Sequence, residues 1–371
     1  MSTEIQVNTI KCGQFTICGQ SIAGTRTCIA IPELGICFDA GFLPDIAIRQ
    51  PIVLVSHGHA DHIGSLVEHA FGRRLRKMPN PTYVMPAECV KGFQTTYAAL
   101  KCLNRNADPT KAHEWLTHQY RICVPSLSSM KTTSTPTSLS TSTSSTPTPT
   151  IWPSNTINAI NAILPFDGHK IIKNLIVDIK TTVHRVPSHG YIISRQNAKL
   201  NNKYKDLKGP EIAALRKSGT PVTELVVEPL IAYTGDTTID GLVNNFEFLT
   251  CPILITECSF CGETDTLVSL NSFDPKAAHK VVCEEPHDCK TSLDKVENEN
   301  DNTSLATCKG HIHEQQLIKH ASKFKNHTII LTHFSAQYSK QDLLGAQNRL
   351  QKAFTRNSIV ISIVIFDSRL L

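Results

Sequence analysis

Between positions 53 and 62 the chain reads VLVSHGHADH: an apolar run stops at His57, and His59, Asp61 and His62 follow closely. Imidazole and carboxylate together are side chains that suit zinc. His57 and His59, two apart in an extended loop, can point to one side, while Asp61 and His62 can turn toward a second position as a helix begins over IGSLVEHAF. Such a loop can feed two metals. Four ligand-type side chains within six positions, directly behind an apolar strand, are hard to explain as core or as surface decoration.

The elements that would position them follow the same rule. LIVDIKTTVH ends at His184, PLIAYTGD at Asp236 and HTIILTH at His333. In α/β architectures binding groups gather where strands end, because a buried sheet fixes the direction of its loops. With His184 joining His57 and His59, His333 joining Asp61 and His62, and Asp236 bridging, each ion receives three protein ligands and a shared carboxylate. Single histidines such as His69, His118 and His169 read as solvated or hydrogen-bonded residues. Cys258 and Cys261 stand at C-x-x-C spacing without a partner pair, so ordinary thiols are the better reading.

A length of 371 residues allows one large domain or two ordinary ones, and a net charge of +5 suits a polyanionic partner without showing one. No apolar stretch is long enough to span a membrane, and MSTEIQVNTI lacks the features of a signal peptide. The expectation is a chain of the cytoplasm, the nucleus or both, with no membrane role. Thirteen scattered cysteines do not resemble a disulfide framework. The Ser/Thr/Pro-rich stretch at about 125–150 predicts a disordered surface insertion, and the polar stretch at about 284–309 a second loop. Elsewhere CIAIPELGICFDAG predicts a hairpin turning at Glu33, Leu34 and Gly35. IGSLVEHAFGRRL, GPEIAALRKSG and EQQLIKHASKF predict amphipathic helices, the second stopped by Gly219 and the third opened by Glu314. The class is mixed α/β, in a single domain carrying two insertions.

HGHADH fits H-x-H-x-D-H and, with TGD at 234–236 and TH at 332–333, resembles the metallo-β-lactamase superfamily. GYIIS (190–194), LKGPEIAALRKSG (207–219), AYTGDTT (232–238), GHIHEQQLIKHASKF (310–324) and LTHFSAQYS (331–339), in that order, look like the short form of ribonuclease Z, the tRNA 3′-processing endonuclease, and especially its plant-type version. The match runs from about residue 12 to the end, interrupted by the two insertions. The resemblance implies an αβ/βα sandwich of two mixed sheets flanked by helices, usually a homodimer, with two Zn2+ per chain at one edge. It places His57, His59 and His184 on one zinc, Asp61, His62 and His333 on the other, Asp236 between them, and a catalytic histidine at His311. The implied substrate is precursor tRNA, cut to a 3′-hydroxyl tRNA and a 5′-phosphate trailer. Two zinc ions about 3.5–4 Å apart bring the pKa of a shared water toward about 7. Asp61 can both ligate and orient that water, and a protonated His311 can donate to the departing oxygen. By residue type alone, His313 in the same helix-entry turn is an equal of His311.

The RNA would be held by basic side chains, Arg73, Arg74, Arg76 and Lys77 behind the first site helix, and a lysine-rich cluster around the GP segment that includes Lys208 and Lys217. The chain departs from the family at several points. Gln337 stands where the family commonly has Arg in HFS-x-Arg-Tyr, Ser65 replaces a glycine, and the Ser/Thr/Pro insertion has no counterpart. Only about fifteen residues separate GYIIS from the GP segment, which predicts a much reduced tRNA-gripping arm. Two other functions compete with this reading. A small-molecule (thio)ester or lactone hydrolase needs no basic surface, whereas a catalytically inactive RNA-binding scaffold ought to have lost ligands, and all seven positions are filled.

Overall fold

The computed structural model describes residues 7–108, 120–125, 150–152, 156–157, 174–262, 302–355 and 361–370. Its first sheet takes strands in chain order: β1 (Asn8–Cys12), β2 (Phe15–Ala23), β3 (Arg26–Ile31), β4 (Ile36–Phe38), β5 (Ile52–Leu54), β6 (Thr82–Val84), β7 (Arg121–Pro125) and β8 (Thr150–Trp152). Pairing is antiparallel from β1 to β4 and parallel from β4 to β8. The expected hairpin is present, with β3 and β4 joined through a single 3-10 turn over Pro32–Leu34.

The second sheet comes from the rest of the chain: β9 (Thr156–Ile157), β10 (Leu175–Thr182), β11 (Ser188–Leu200), β12 (Thr223–Tyr233), β13 (Ile253–Glu257), β14 (Thr328–Thr332) and β16 (Ser362–Ile365), in the order β16-β14-β13-β12-β11-β10-β9. One short strand, β15 (Phe334–Ser335), crosses back to pair with β2 of the first sheet.

Successive strand residues face opposite sides, and both sides of each sheet are covered. Ile17, Ile29, Phe38 and Leu54 of the first sheet meet Val177, Tyr191, Tyr233, Ile255 and Ile330 of the second in one shared core. On the outer face of the first sheet, Val53, Val55 and Tyr83 pack with residues of α1 (Asp45–Ile48), α3 (Leu66–Leu75) and α4 (Ala87–Leu103), while α2 (Ala60–Ile63) lies at the strand ends. Helix α5 (Gly209–Lys217) stands apart. On the outer face of the second sheet, Leu254, Ile329 and Leu331 pack with residues of α6 (Ile239–Val243), α7 (Phe246–Thr250), α9 (Glu314–Lys319) and α10 (Lys340–Thr355). Burial on both faces is why VLV, ILI and TIIL read as unbroken apolar runs rather than alternating ones. The product is an αβ/βα sandwich of two mixed sheets flanked by helices.

Two expectations need correction at their edges. Pro125 closes β7 and Thr150 opens β8, so the first insertion is narrower than 125–150; residues 126–149 lie outside those described, as do His118 and His169. Within 284–309, residues 284–301 are likewise outside, but Asn302–Cys308 forms helix α8 rather than loop. Its Ala306 is fully buried and gives NTSLATC no apolar stripe that a sequence pattern would register.

The arm has a definite form. Beyond Arg195 and Glu228, β11 and β12 pair only with each other, through Leu200 and Thr223, and α5 sits at the tip. Helix α5 buries no residue, and Leu225 and Val227 nearby are 69% and 47% exposed. The short spacing in sequence conceals an arm built by prolonging the ladder itself.

Behind the histidine loop, His69 of α3 is fully buried between the Tyr83 hydroxyl at Nδ1 (3.0 Å) and the Ala47 and Gln50 carbonyls, to which Nε2 donates (both 3.2 Å). Burial, with Arg73 nearby, pushes its pKa down to about 3. Because this lies below the unfolded value of about 6.5, the unfolded chain binds the extra proton, and stability falls as pH drops from about 6.5 toward about 3. The expected slope from this residue is about 1.4 kcal/mol per pH unit. Urea unfolding between pH 6 and 4 should show it, with a shallower pH dependence in His69→Gln; equal slopes would contradict the assignment.

Candidate metal centre

The strand endings converge. After β5, Val55 continues the strand direction, the Ser56 N–H donates to Asp39 Oδ1 (2.7 Å), and His57 follows. His59 is the extended residue immediately before α2, so Asp61 and His62 fall in that helix's first turn rather than ahead of a later one. Helix α2 can lie this close to the sheet only because Gly41 has no side chain; a Cβ there would sit 1.7 Å from the Asp61 carbonyl oxygen. His184 follows β10, Asp236 follows β12 and His333 follows β14.

Two groups of donor atoms result, each within 4.8 Å across: His57, His59, His184 and Asp236, and Asp61, His62 and His333. Asp236 also forms an overlapping group with His311 and His333. In the first group His57 Nε2 is 2.9 Å from His59 Nδ1, which is 3.4 Å from His184 Nε2. In the second, His62 Nε2 is 3.2 Å from His333 Nε2, and Asp61 Oδ2 is 3.3 Å from His333 Nε2. Asp236 Oδ2 stands between, 3.7 Å from His57 and 3.4 Å from His62.

The opposite ring nitrogens decide whether this donor set fits a cation. His57 Nδ1 meets Ser56 Oγ at 3.0 Å, His62 Nδ1 meets Asp39 Oδ2 at 2.9 Å, His184 Nδ1 donates to the Gly310 carbonyl at 2.8 Å, and His333 Nδ1 meets Ser259 Oγ at 3.1 Å. Both hydroxyls give their own hydrogens to carboxylates, Ser56 to Asp39 and Ser259 to Glu257, so they accept from the rings. Four imidazoles are thereby set in the Nδ1–H tautomer with their Nε2 lone pairs turned into the cluster, those of His62 and His333 facing each other at 3.2 Å. Lone pairs facing at this range repel unless a cation lies among them, and metal-binding histidines are held in this way. The donor set therefore fits divalent metal.

The electrostatics agree. Burial and the neighbouring His62 push His57 well below the usual histidine range. Burial also opposes a charge on His62, but Asp236 and Asp39 outweigh it and hold that pKa well above the usual value. Burial would raise Asp236, yet His333 and His62 pull it well below the ordinary carboxylate range. The pocket draws positive charge.

His311 and His313 have different tasks. His313, fully buried, caps α9 by accepting the Gln315 N–H at Nδ1 (3.1 Å). His311 faces the cluster, its ring centroid 5.1 Å from that of His184 and 5.5 Å from that of His333. Its Nδ1 lies 3.0 Å from Glu257 Oε1, and although burial disfavours the charge, the Glu257 carboxylate raises its pKa to about 9. Gly310 places it: at φ 79, with a Cβ that would fall 2.7 Å from His184 Nδ1, no other residue fits there unstrained.

Of the six basic candidates none enters the cluster. Arg73 is corrected outright: it is buried and donates to the Ile48 (2.8 Å) and Pro79 (3.1 Å) carbonyls, a brace rather than an RNA contact. Arg76 pairs with Asp45 at 3.2 Å. Arg74 and Lys77 are exposed beside it, and Lys208 and Lys217 are exposed on the arm. Cys258 and Cys261 are buried thiols, and among the described residues no metal-ligand group includes a cysteine. Gln337 is exposed, and the turn around it is held from elsewhere: Arg369, fixed by Asp367, donates to the Ser335 (2.8 Å) and Tyr338 (2.7 Å) carbonyls.

Sequence reasoning missed Asp39 and Glu257. Both obey the strand-ending rule, since GICF runs into Asp39 and ILIT into Glu257. Asp39 collects the Ser56 N–H, the Ser56 hydroxyl, His62 and the Tyr233 hydroxyl (2.6 Å); Glu257 collects the Thr237 N–H (2.7 Å), the Ser259 hydroxyl and His311.

No protein-family model matches the chain. Among curated sequences, tRNase Z TRZ1 of Arabidopsis thaliana is 29% identical over 340 residues, 91% of each chain, and the chloroplastic tRNase Z TRZ2 of the same plant is 25% identical over 358 residues, 95% of this chain and 77% of the relative. Among solved structures, the metallo-β-lactamase fold protein YhfI of Bacillus subtilis aligns over 94% of both chains at 11% identity, with a TM-score of 0.46. The chain thus resembles tRNase Z proteins along nearly its whole length, and its own two-sheet sandwich gathers histidines at the strand ends.

Proposed function

We propose that this protein is a zinc-dependent endonuclease that removes the 3′ trailer of precursor tRNA, leaving a 3′-hydroxyl tRNA and a 5′-phosphate trailer. The observation that carries the reading is the set of converging imidazoles flanked by the charged His311–Glu257 pair, in a chain similar to plant tRNase Z proteins over 91% of its length. His57, His59 and His184 would hold one ion, Asp61, His62 and His333 the other, and Asp236 both. Bound there, zinc supplies Lewis acidity toward a phosphoryl oxygen and a water of lowered pKa.

The protein groups do the rest. Asp61 is the more exposed of the two carboxylates in the cluster, 12% against 3% for Asp236, so it is the one that an incoming water meets. Its Oδ2 is fixed by the Gly24 N–H at 2.8 Å. Glu257 holds His311 at Nδ1, which leaves Nε2–H free to protonate the departing 3′ oxygen, and the raised pKa keeps that proton in place at neutral pH. Lys208 and Lys217 on the arm offer phosphate contacts that add affinity without sequence readout.

Incubation with a 3′-extended precursor tRNA and zinc should give cleavage beside the discriminator nucleotide, and metal analysis two zinc ions per chain. A folded, metal-loaded protein that leaves the precursor intact would overturn the proposal.

A further inference from the structure

Beside the metal centre, where the two sheets part at their edge, lies a cleft of about 540 Å³. It is within the range of pockets that seat small ligands. Its floor and walls come from both sheets: Pro125 at the end of β7, Glu88 at the start of α4, and Val183, His184, Pro187 and His189 from the turn between β10 and β11. His184 belongs to the metal-ligand cluster as well, so the cleft opens directly off the reacting centre.

The lining is unusual for a metal-site lip. Val183 is 51% exposed although it stands next to a candidate ligand, and the two prolines add flat apolar surface. His189 is only 4% exposed, and its Nδ1 has no hydrogen-bond partner among the described residues. A buried polar atom left unpaired costs free energy that a fitting ligand can recover. The ring is neutral over the working range, since burial lowers its pKa to about 4 despite the nearby Glu88 carboxylate. A neutral imidazole offers one donor and one acceptor, and a carboxylate offers acceptors only.

We propose that this cleft seats the base of a nucleotide flanking the cleaved bond, turned out of the strand, and that Glu88 and His189 select a base bearing an exocyclic amine over uracil. The assignment rests on the endonuclease reading given above. Single-stranded RNA is recognised by splaying bases onto apolar or planar surfaces and reading their Watson–Crick edges. Val183, Pro125 and Pro187 supply the surface. Adenine, cytosine and guanine each present an amine for the Glu88 carboxylate together with an acceptor for the imidazole N–H. Uracil, stacked in the same frame as cytosine, would turn its O4 carbonyl on the Glu88 carboxylate and its N3–H on the imidazole N–H, so like groups would meet at both points.

Precursor tRNAs carrying each of the four bases on either side of the cleaved bond test this with the zinc-loaded protein. At one of the two positions, kcat/KM for amine-bearing bases should exceed that for uracil by about 10-fold, the scale of one well-read base edge. In Glu88→Gln, whose amide can also donate to a uracil carbonyl, that ratio should fall toward unity, and in His189→Ala it should fall with it. Glu88 is exposed, so its substitution removes no buried packing and the result does not hang on the buried variant. Equal rates for all four bases at both positions, or a preference that both variants retain, overturns the cleft assignment while cleavage itself upholds the endonuclease. Failure to cleave any precursor overturns both.

Discussion

His311→Ala is expected to lower the rate of precursor cleavage by about 10²–10⁴-fold, the usual range for loss of a general acid, while the protein keeps its full complement of zinc. The reason is positional. His311 touches the cluster's edge and is 3.9 Å from Asp236, but its hydrogen bond is to Glu257, and seven other side chains suffice for the two ions proposed above. A second readout separates proton donation from packing. If the protonated ring is the donor, the rate falls on the alkaline side as His311 loses its proton, near 9 in the structure as described and lower once cations join the cluster. Removing the carboxylate in Glu257→Gln lowers that pKa further, so this alkaline limb moves toward neutral pH. A His311→Ala protein with lost zinc, or a pH profile unmoved by Glu257→Gln, would contradict the role.

Asp39→Ala is the second large effect. Asp39 is fully buried and accepts four hydrogen bonds, two from Ser56 and one each from His62 and Tyr233. Alanine leaves all four donors without an acceptor, which on the scale of a broken buried pair costs about 3–5 kcal/mol. It also frees His62 to rotate or change tautomer, and loss of such an orienting partner weakens metal binding by about 10–100-fold. Asp39 sits at φ 56, a conformation that asparagine tolerates better than alanine. The Asp39→Asn variant would keep the backbone and some of the hydrogen bonds, so zinc affinity and unfolding free energy should both fall in the order wild type, Asp39→Asn, Asp39→Ala. Competition with a chromophoric chelator and denaturant titration measure the two quantities; an alanine variant matching the wild type in both would refute the assignment.

How far the sequence could be read depended on whether a residue acts alone or through another. His57, His184, Asp236 and His333 were legible because a charged or polar residue ending an apolar run is a local pattern. Asp39 and Glu257 end runs too, yet what makes them matter is a contact with His62 or His311, 23 and 54 positions away. Arg73 and Arg74 are indistinguishable as a charge run, and only the helix's orientation over Ile48 turns one inward and leaves the other in water. His311 and His313 differ by which of them caps α9, something that type and spacing do not encode. The arm's construction was not legible because it is a ladder between β11 and β12, whose partners are set by pairing rather than by local pattern.

The division of the chain between the two sheets has a consequence for how the site comes into being. His57, His59, Asp61 and His62 belong to the first sheet's loops, and His184, Asp236 and His333 to the second's. Each sheet carries its own outer layer of helices in a separate apolar cluster, with only Phe334 of β15 joining the second cluster from a strand paired to the first sheet. Neither half contains a binding site. Only the meeting of their inner faces assembles one, so any ion held there acts as a rivet across the seam, stabilising the joined protein over its separated halves.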